Sequence, residues 1–134
     1  MSAEANIQLV RDFFAAMSAG GPEAIRPLLH ADATWTVTAR SIPGAGSHHG
    51  HKAILEDFLG AFAGVFEEGS PRIDIRTIIS QGGLVACETH GTGTFRDGRP
   101  YDNNYCWMIE VRDGKVYHLR EYMDSHYVAG LGGG

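Results

Sequence analysis

Cysteine is scarce in this chain: 134 residues carry only Cys87 and Cys106. Two thiols cannot build a disulfide framework, so the fold must rest on its own core. Both fall mid-strand in the reading below, which points to two buried free thiols in a reducing cytoplasm, with a disulfide as the alternative. Basic runs are lacking as well. Eleven Lys and Arg stand against sixteen Asp and Glu, a formal net charge of −5, which excludes the electrostatic footprint of a nucleic-acid binder. No stretch approaches the ~18 consecutive apolar residues of a membrane span. No basic segment followed by an apolar one opens the chain, so a secretory signal is not expected and a cytoplasmic location is. There is no Gly-rich phosphate loop and no Ser/His/Asp nucleophile signature. No internal repeat or linker divides the sequence, and residues 1–134 read as a single domain.

Apolar residues, by contrast, make up 43% of the chain, enough for a real core. They are most informative in Tyr101–Asp124, YDNNYCWMIEVRDGKVYHLREYMD. Asp113-Gly114 is a strong hairpin signal, because a primed turn needs positive φ. On the first strand, alternation puts Tyr101, Asn103, Tyr105, Trp107, Ile109 and Val111 on one face. On the second, Tyr117, Leu119, Glu121 and Met123 share a face, opposed by His118, Arg120 and Tyr122. If Trp107, Ile109 and Leu119 face the core, then Asn103, Tyr105 and Glu121 do too. A carboxylate and an amide among apolar groups are costly unless hydrogen-bonded, so this mixture suggests a lined pocket.

Earlier in the chain, Ile7, Val10, Phe13, Phe14 and Met17 recur every three or four residues and predict an amphipathic helix over Ala3–Ala19, ended by Gly20-Gly21. Pro22 opens a short helix over Glu23–Leu29. His30-Ala31-Asp32 reads as a connector and Ala33–Thr38 as the first strand. Arg40–His51 reads as a loop. A long helix follows to about Phe66, with Ile54, Phe58 and Phe62 as its stripe. Arg72–Ile79 and Leu84–Phe95 are strands. A turn over Ser125–Val128 precedes a tail with Gly130, Gly132, Gly133 and Gly134, read as flexible. Helices near the N-terminus and hairpin-linked strands near the C-terminus make an α+β arrangement with a curved antiparallel sheet.

This order, with the segments HADATWTV, HHGHKAILEDFLGAF and DGRPYDNNYCWMIEVRDGKVYHLREYMD, resembles the nuclear transport factor 2-like superfamily. Within it, the chain is similar to the SnoaL-like, ketosteroid-isomerase-related proteins. The resemblance implies a cone-shaped α+β barrel: a bent sheet wrapped on three helices of the N-terminal half, with a pocket between them. It also implies a homodimer packed through the outer sheet face, here Asn104, Cys106, Met108, His118, Arg120 and Tyr122. SnoaL-like polyketide cyclases carry an acid/base residue on the last strand, seven positions after the hairpin Gly, which from Gly114 reaches Glu121. Limonene-epoxide-hydrolase-like enzymes place one Asp of an Asp-Arg-Asp set there. Their other two residues fall on Glu88 and His90 when counted back from Gly98, and one residue later when counted forward from Gly83. Either way the Arg is missing, and their Tyr and Asn on the early strand are Trp35 and Val37. The Asp base that steroid isomerases need near Val37 is absent too.

Glu121 is the leading candidate for chemistry. Burial disfavours a charged carboxylate and lifts its pKa toward neutrality, which suits proton exchange near pH 7. The alternative is a structural acid tied to Asn103, Tyr105 or a nearby His. Glu88 and His90 share strand parity. Facing inward they form a second acid/base pair opposite Glu121; facing outward they lie at a dimer contact or in water. Leu84-Val85-Ala86-Cys87 is apolar on both faces and leaves that open. Asn103 and Tyr105 either orient a ligand carbonyl or hydroxyl, or satisfy Glu121. Trp35, Trp107, Leu119, Phe13 and Met17 supply apolar walls. His48-His49-Gly50-His51 reads as a solvated helix entry rather than a metal site, since adjacent His side chains on a loop seldom converge. The reading is a cofactor-free isomerase, cyclase, dehydratase or hydrolase for a small hydrophobic carbonyl, enol or epoxide compound. The competing reading is a non-catalytic ligand-binding or dimerisation module.

Overall fold

The computed structural model describes Ser2–Gly132. Helix α1 spans Ala3–Gly20, and its first turn is capped by Ser2, whose Oγ accepts from the Ala5 N–H. Its buried face is Leu9, Val10, Phe13 and Phe14, together with Asn6. The Asn6 amide, polar and 2% exposed, donates to the Gly82 carbonyl at 3.1 Å and ties the helix to a distant strand turn. A tight 3₁₀ segment covers Pro22–Leu28, with Pro22 in the first turn and Ile25 buried.

Strand β1 (Leu29–Val37) begins earlier than expected, so His30-Ala31-Asp32 is strand rather than connector. A register irregularity between Leu29 and Thr34 explains why this stretch does not look regular in sequence. The expected loop over Arg40–His51 contains a four-residue strand β2 (Gly46–His49) that pairs antiparallel with β1. The following helix is wound with wide π turns over Lys52–Phe58 and becomes α2 over Leu59–Ala63. Ile54, Leu55 and Phe58 are buried, and the helix ends before Phe66, so Val65 stands exposed. Strands β3 (Arg72–Gln81), β4 (Leu84–Thr94), β5 (Pro100–Arg112) and β6 (Lys115–Met123) follow. The final expected turn extends into a helix, α3 (Ser125–Gly132), so Gly130 and Gly132 are helical; Gly133 and Gly134 lie outside the described residues.

The six strands form one curved, open sheet in the order β2-β1-β6-β5-β4-β3. It is mixed rather than wholly antiparallel: β1 runs parallel to β6 while every other pair is antiparallel. Parallel pairing needs a long crossover, here everything between β1 and β6, and no local pattern announces it. The Asp113-Gly114 turn has φ of 54° and 70°, the primed geometry. Between Val111↔Val116 and Glu110↔His118 one extra residue, Tyr117, is accommodated. That bulge turns Val116 inward and carries Tyr117 off the face it was expected to share with Leu119. Tyr117 lies half-buried under the Arg112 guanidinium, 3.9 Å from its ring centre.

The concave face of the sheet and the helices enclose an aromatic core. Trp35 and Trp107 meet edge to face at 5.7 Å. Phe13 and Phe58 pack on Trp35, and Phe14 packs on Trp107 at 5.0 Å. Each such side chain contributes on the order of 2–3 kcal/mol by leaving water. Cys87 is in this core, but Cys106 is exposed on the opposite face of the sheet, so the two thiols are free and only one is buried. No helix among the described residues is long and apolar enough to cross a membrane.

Candidate active site

Glu121 sits near the end of β6, opposite Trp107 on β5 and beside Val37 on β1. Alternation along β6 turns it to the concave face, where it is 7% exposed. Thr38 holds the strand end from the side: its N–H and its hydroxyl both donate to the Glu121 carbonyl, at 3.1 and 2.9 Å. The carboxyl Oε1 accepts from the Trp35 indole Nε1 at 2.8 Å. Loss of hydration penalises the charged form and raises the pKa to about 7, against the smaller downward pull of the Trp35 hydrogen bond. The group that ties Glu121 down is therefore Trp35, not Asn103, Tyr105 or a His.

Tyr105 is two positions from Trp107 along β5 and faces the same way, a diagonal neighbour of Glu121. Its ring stacks on Trp107, with centroids 5.3 Å apart and planes 15° apart. Its hydroxyl hydrogen-bonds that of Tyr101. The Asn103 Oδ1 accepts from the Asn104 N–H at 2.9 Å, which fixes the amide so that Nδ2 donates to the Tyr101 hydroxyl at 3.2 Å. Burial, with the Glu121 charge nearby, raises the pKa of both phenols, so both are neutral donors. The Tyr101–Tyr105 bond uses one of their two protons, and the second has no acceptor among the described residues. Tyr101 was visible on the correct face in sequence, yet only this hydroxyl chain brings it together with the candidates Asn103 and Tyr105.

The remaining sequence candidates divide. Phe13, Trp35, Trp107 and Leu119 are at most 2% exposed. Trp35 bonds Glu121, Trp107 is its cross-strand partner, Leu119 precedes it on the same face of β6, and Phe13 packs behind Trp35. Met17 is half-buried against the same core. Glu88 and His90 are placed outside. Register pairs Cys87 with Trp107 and Gly91 with Asn103, both inward, so alternation turns Thr89 between them inward and Glu88 and His90 outward. Glu88 is exposed. On the convex face His90 accepts at Nδ1 from Arg76, at 2.6 Å, and donates from Nε2 to Asp102. The inward positions are Thr89 and Gly91, and the Thr89 Oγ1 accepts from the Trp107 indole at 2.8 Å. The three His of the helix entry go separate ways. His48 stacks on Phe58 and bonds the Gly44 carbonyl, His49 bonds Thr34, and His51 reaches the Leu29 and His30 carbonyls.

Two surface hollows lie away from Glu121. One, of 330 Å³, is lined by Leu84, Glu110, Arg112, Tyr117 and Arg120 among others. The other, of 570 Å³, runs between α1 and β3.

A family model described as SnoaL-like domain matches residues 10–119. An NTF2-like protein from Burkholderia xenovorans LB400 is 30% identical over 97% of both chains, with a TM-score of 0.77. A protein from Jannaschia sp. CCS1 assigned to the SnoaL-like polyketide cyclases is 16% identical over 94% of this chain and 90% of its own, with a TM-score of 0.74. A protein of ketosteroid isomerase-like fold from Catenulispora acidiphila DSM 44928, in complex with trimethylamine, is 17% identical over 94% and 92%, with a TM-score of 0.77. The last two show likeness of fold alone. No curated protein sequence matches the chain.

Proposed function

The chain belongs to the SnoaL-like domain family, and from that premise we propose a cofactor-free acid/base enzyme of isomerase or cyclase type, acting on a small hydrophobic carbonyl or enol compound. The observation that carries it is Glu121: a buried carboxyl with a pKa near 7, held through one oxygen by Trp35. Such a group can take a proton from carbon and return it at another position without metal or nucleotide. The spare phenolic proton of the Tyr101–Tyr105 pair is the donor for the carbonyl oxygen, with Asn103 orienting the pair. Epoxide hydrolysis is disfavoured, because Thr89 and Gly91 occupy the inward positions of β4 and the Asp-Arg pairing of those enzymes is not assembled. The proposed dimer contact is the convex sheet face, where Ile79 is 65% and Tyr122 43% exposed.

One observation favours the competing reading of a non-catalytic binding module. Trp35 and Trp107 occupy the space beside Glu121, and neither surface hollow reaches it. The two readings separate on turnover. A panel of enolisable ketones and conjugated enones, assayed from pH 5 to 9, should include a substrate whose rate climbs as Glu121 ionises near pH 7. Glu121→Gln should lower that rate about 10²- to 10⁴-fold. An unchanged rate in the variant removes Glu121 from the chemistry. Saturable binding with no turnover anywhere on the panel selects the binding module.

A further inference from the structure

The 570 Å³ hollow between α1 and β3 has a chemistry of its own. From the helix it is lined by Arg11, Phe14, Ala15, Ser18 and Ala19, whose spacings of three and four residues place them on one side. From the strand come Arg72, Ile73, Asp74 and Ile75. β3 is the edge of the sheet, so no further strand covers it. The helix touches the strand through Ser18, whose Oγ accepts from the Ile73 N–H at 3.0 Å. The small side chains Ala15, Ser18 and Ala19 leave Ile73 and Ile75 half-buried. Phe14 forms the floor.

The charges are asymmetric. Arg72 Nε pairs with Asp74 Oδ1 at 3.2 Å, so that cation and the rim's only lining acid offset one another. Arg11 has no acidic partner among the described residues. The volume lies within the range of small-molecule sites, ~300–1,000 Å³. We infer that this trough is a second ligand site, for a small amphipathic carboxylate of the medium-chain fatty acid class. The tail lies on Phe14, Ile73 and Ile75, and the carboxylate pairs with Arg11. Because Phe14 packs on Trp107 at 5.0 Å, occupancy is readable in indole fluorescence. The site is independent of the role proposed for Glu121.

The test titrates octanoate into the full chain, with 1-octanol as the uncharged control, by calorimetry and by backbone amide shifts in α1 and β3. Octanoate should saturate at millimolar concentration and shift resonances of Ala15–Ala19 and Arg72–Ile75. Arg11→Gln should weaken octanoate about tenfold and leave octanol unchanged. Ala15→Leu, and separately Ala19→Leu, project into the trough from the helix surface and should abolish both. Glu121→Gln should change neither. Absence of saturation, equal octanoate affinity in Arg11→Gln, or binding that survives both leucine variants overturns the site. Loss of octanoate binding in Glu121→Gln also overturns it, by moving the ligand to the central carboxyl.

Discussion

The indole of Trp35 and the carboxyl of Glu121, 86 positions apart in the chain, are joined by a single 2.8 Å hydrogen bond inside the core. It links the two strands that run parallel and fixes which oxygen of the acid stays free. The bond is stronger to the carboxylate than to the neutral acid, so it opposes the upward pull of burial. Trp35→Phe keeps the aromatic packing and removes the donor. The Glu121 titration, followed by carboxyl carbon NMR, should then move above its value of about 7, by about one pH unit for a charge-assisted hydrogen bond. A titration that stays in place would mean the bond does not discriminate between the two states of the acid.

The same carboxyl makes folding stability depend on pH. Its pKa is raised in the folded protein, from 4.5 to about 7. Below pH 4.5 both folded and unfolded chains hold the proton and nothing is lost. Between pH 4.5 and 7 the unfolded chain releases it while the folded chain does not, so stability falls as pH rises and levels off above 7. The loss integrates to about 3 kcal/mol. Urea denaturation at pH 5, 6, 7 and 8 should show this decline in the natural protein relative to Glu121→Gln, whose amide does not titrate. Parallel pH profiles for the two proteins would contradict the raised pKa.

How much of this was legible beforehand follows the range of the interactions. The β5–β6 hairpin was readable because Asp113-Gly114 and alternation are local. Alternation turned Glu121, Asn103 and Tyr105 inward, and it failed only at the Tyr117 bulge, which pairing with β5 decides. The facing of β4 was not readable. Val85, Cys87 and Thr89 point inward while Glu88 and His90 point outward, and only pairing with β5 decides it. Trp35 looked like wall because nothing local marks it as a donor; its partner arrives through the parallel β1–β6 pairing. The strand at Gly46–His49 hid in a Gly-rich run, since its stability comes from β1 rather than from its own residues.

The convex face supports a solution test. Ile79 and Tyr122 are large, apolar and exposed there, with Cys106 directly opposite Tyr122. Sedimentation should show a dimer that Ile79→Lys and Tyr122→Lys weaken, by about 1–3 kcal/mol for a buried apolar contact replaced by charge, without loss of helix content. The thiols give a second readout. Cys87, buried with its pKa pushed up to about 12, should resist an aromatic disulfide reagent until unfolding. Cys106 should react in the monomer and be protected as concentration rises. Monomeric behaviour at all concentrations would exclude this face as a contact.

The loop before β2 is tuned to the core through Gly44. Its φ is +83°, and a Cβ there would lie 2.5 Å from Phe58 Cε1 and 3.2 Å from Phe62 Cε2. Phe58 cannot easily yield, being stacked on His48 at 4.2 Å and packed on Trp35 at 5.6 Å. Gly46 has φ +98° but nothing within 4 Å of its added Cβ. Alanine at Gly46 therefore meets only backbone strain, on the order of 1 kcal/mol. Alanine at Gly44 adds overpacking of about 1–3 kcal/mol and presses Phe58 toward the indole that holds Glu121. Gly44→Ala should lower the melting temperature clearly more than Gly46→Ala, and it alone should alter the Glu121 titration. Equal losses, with the titration unmoved in both, would show that Phe58 relaxes freely and that the loop does not bear on the acid.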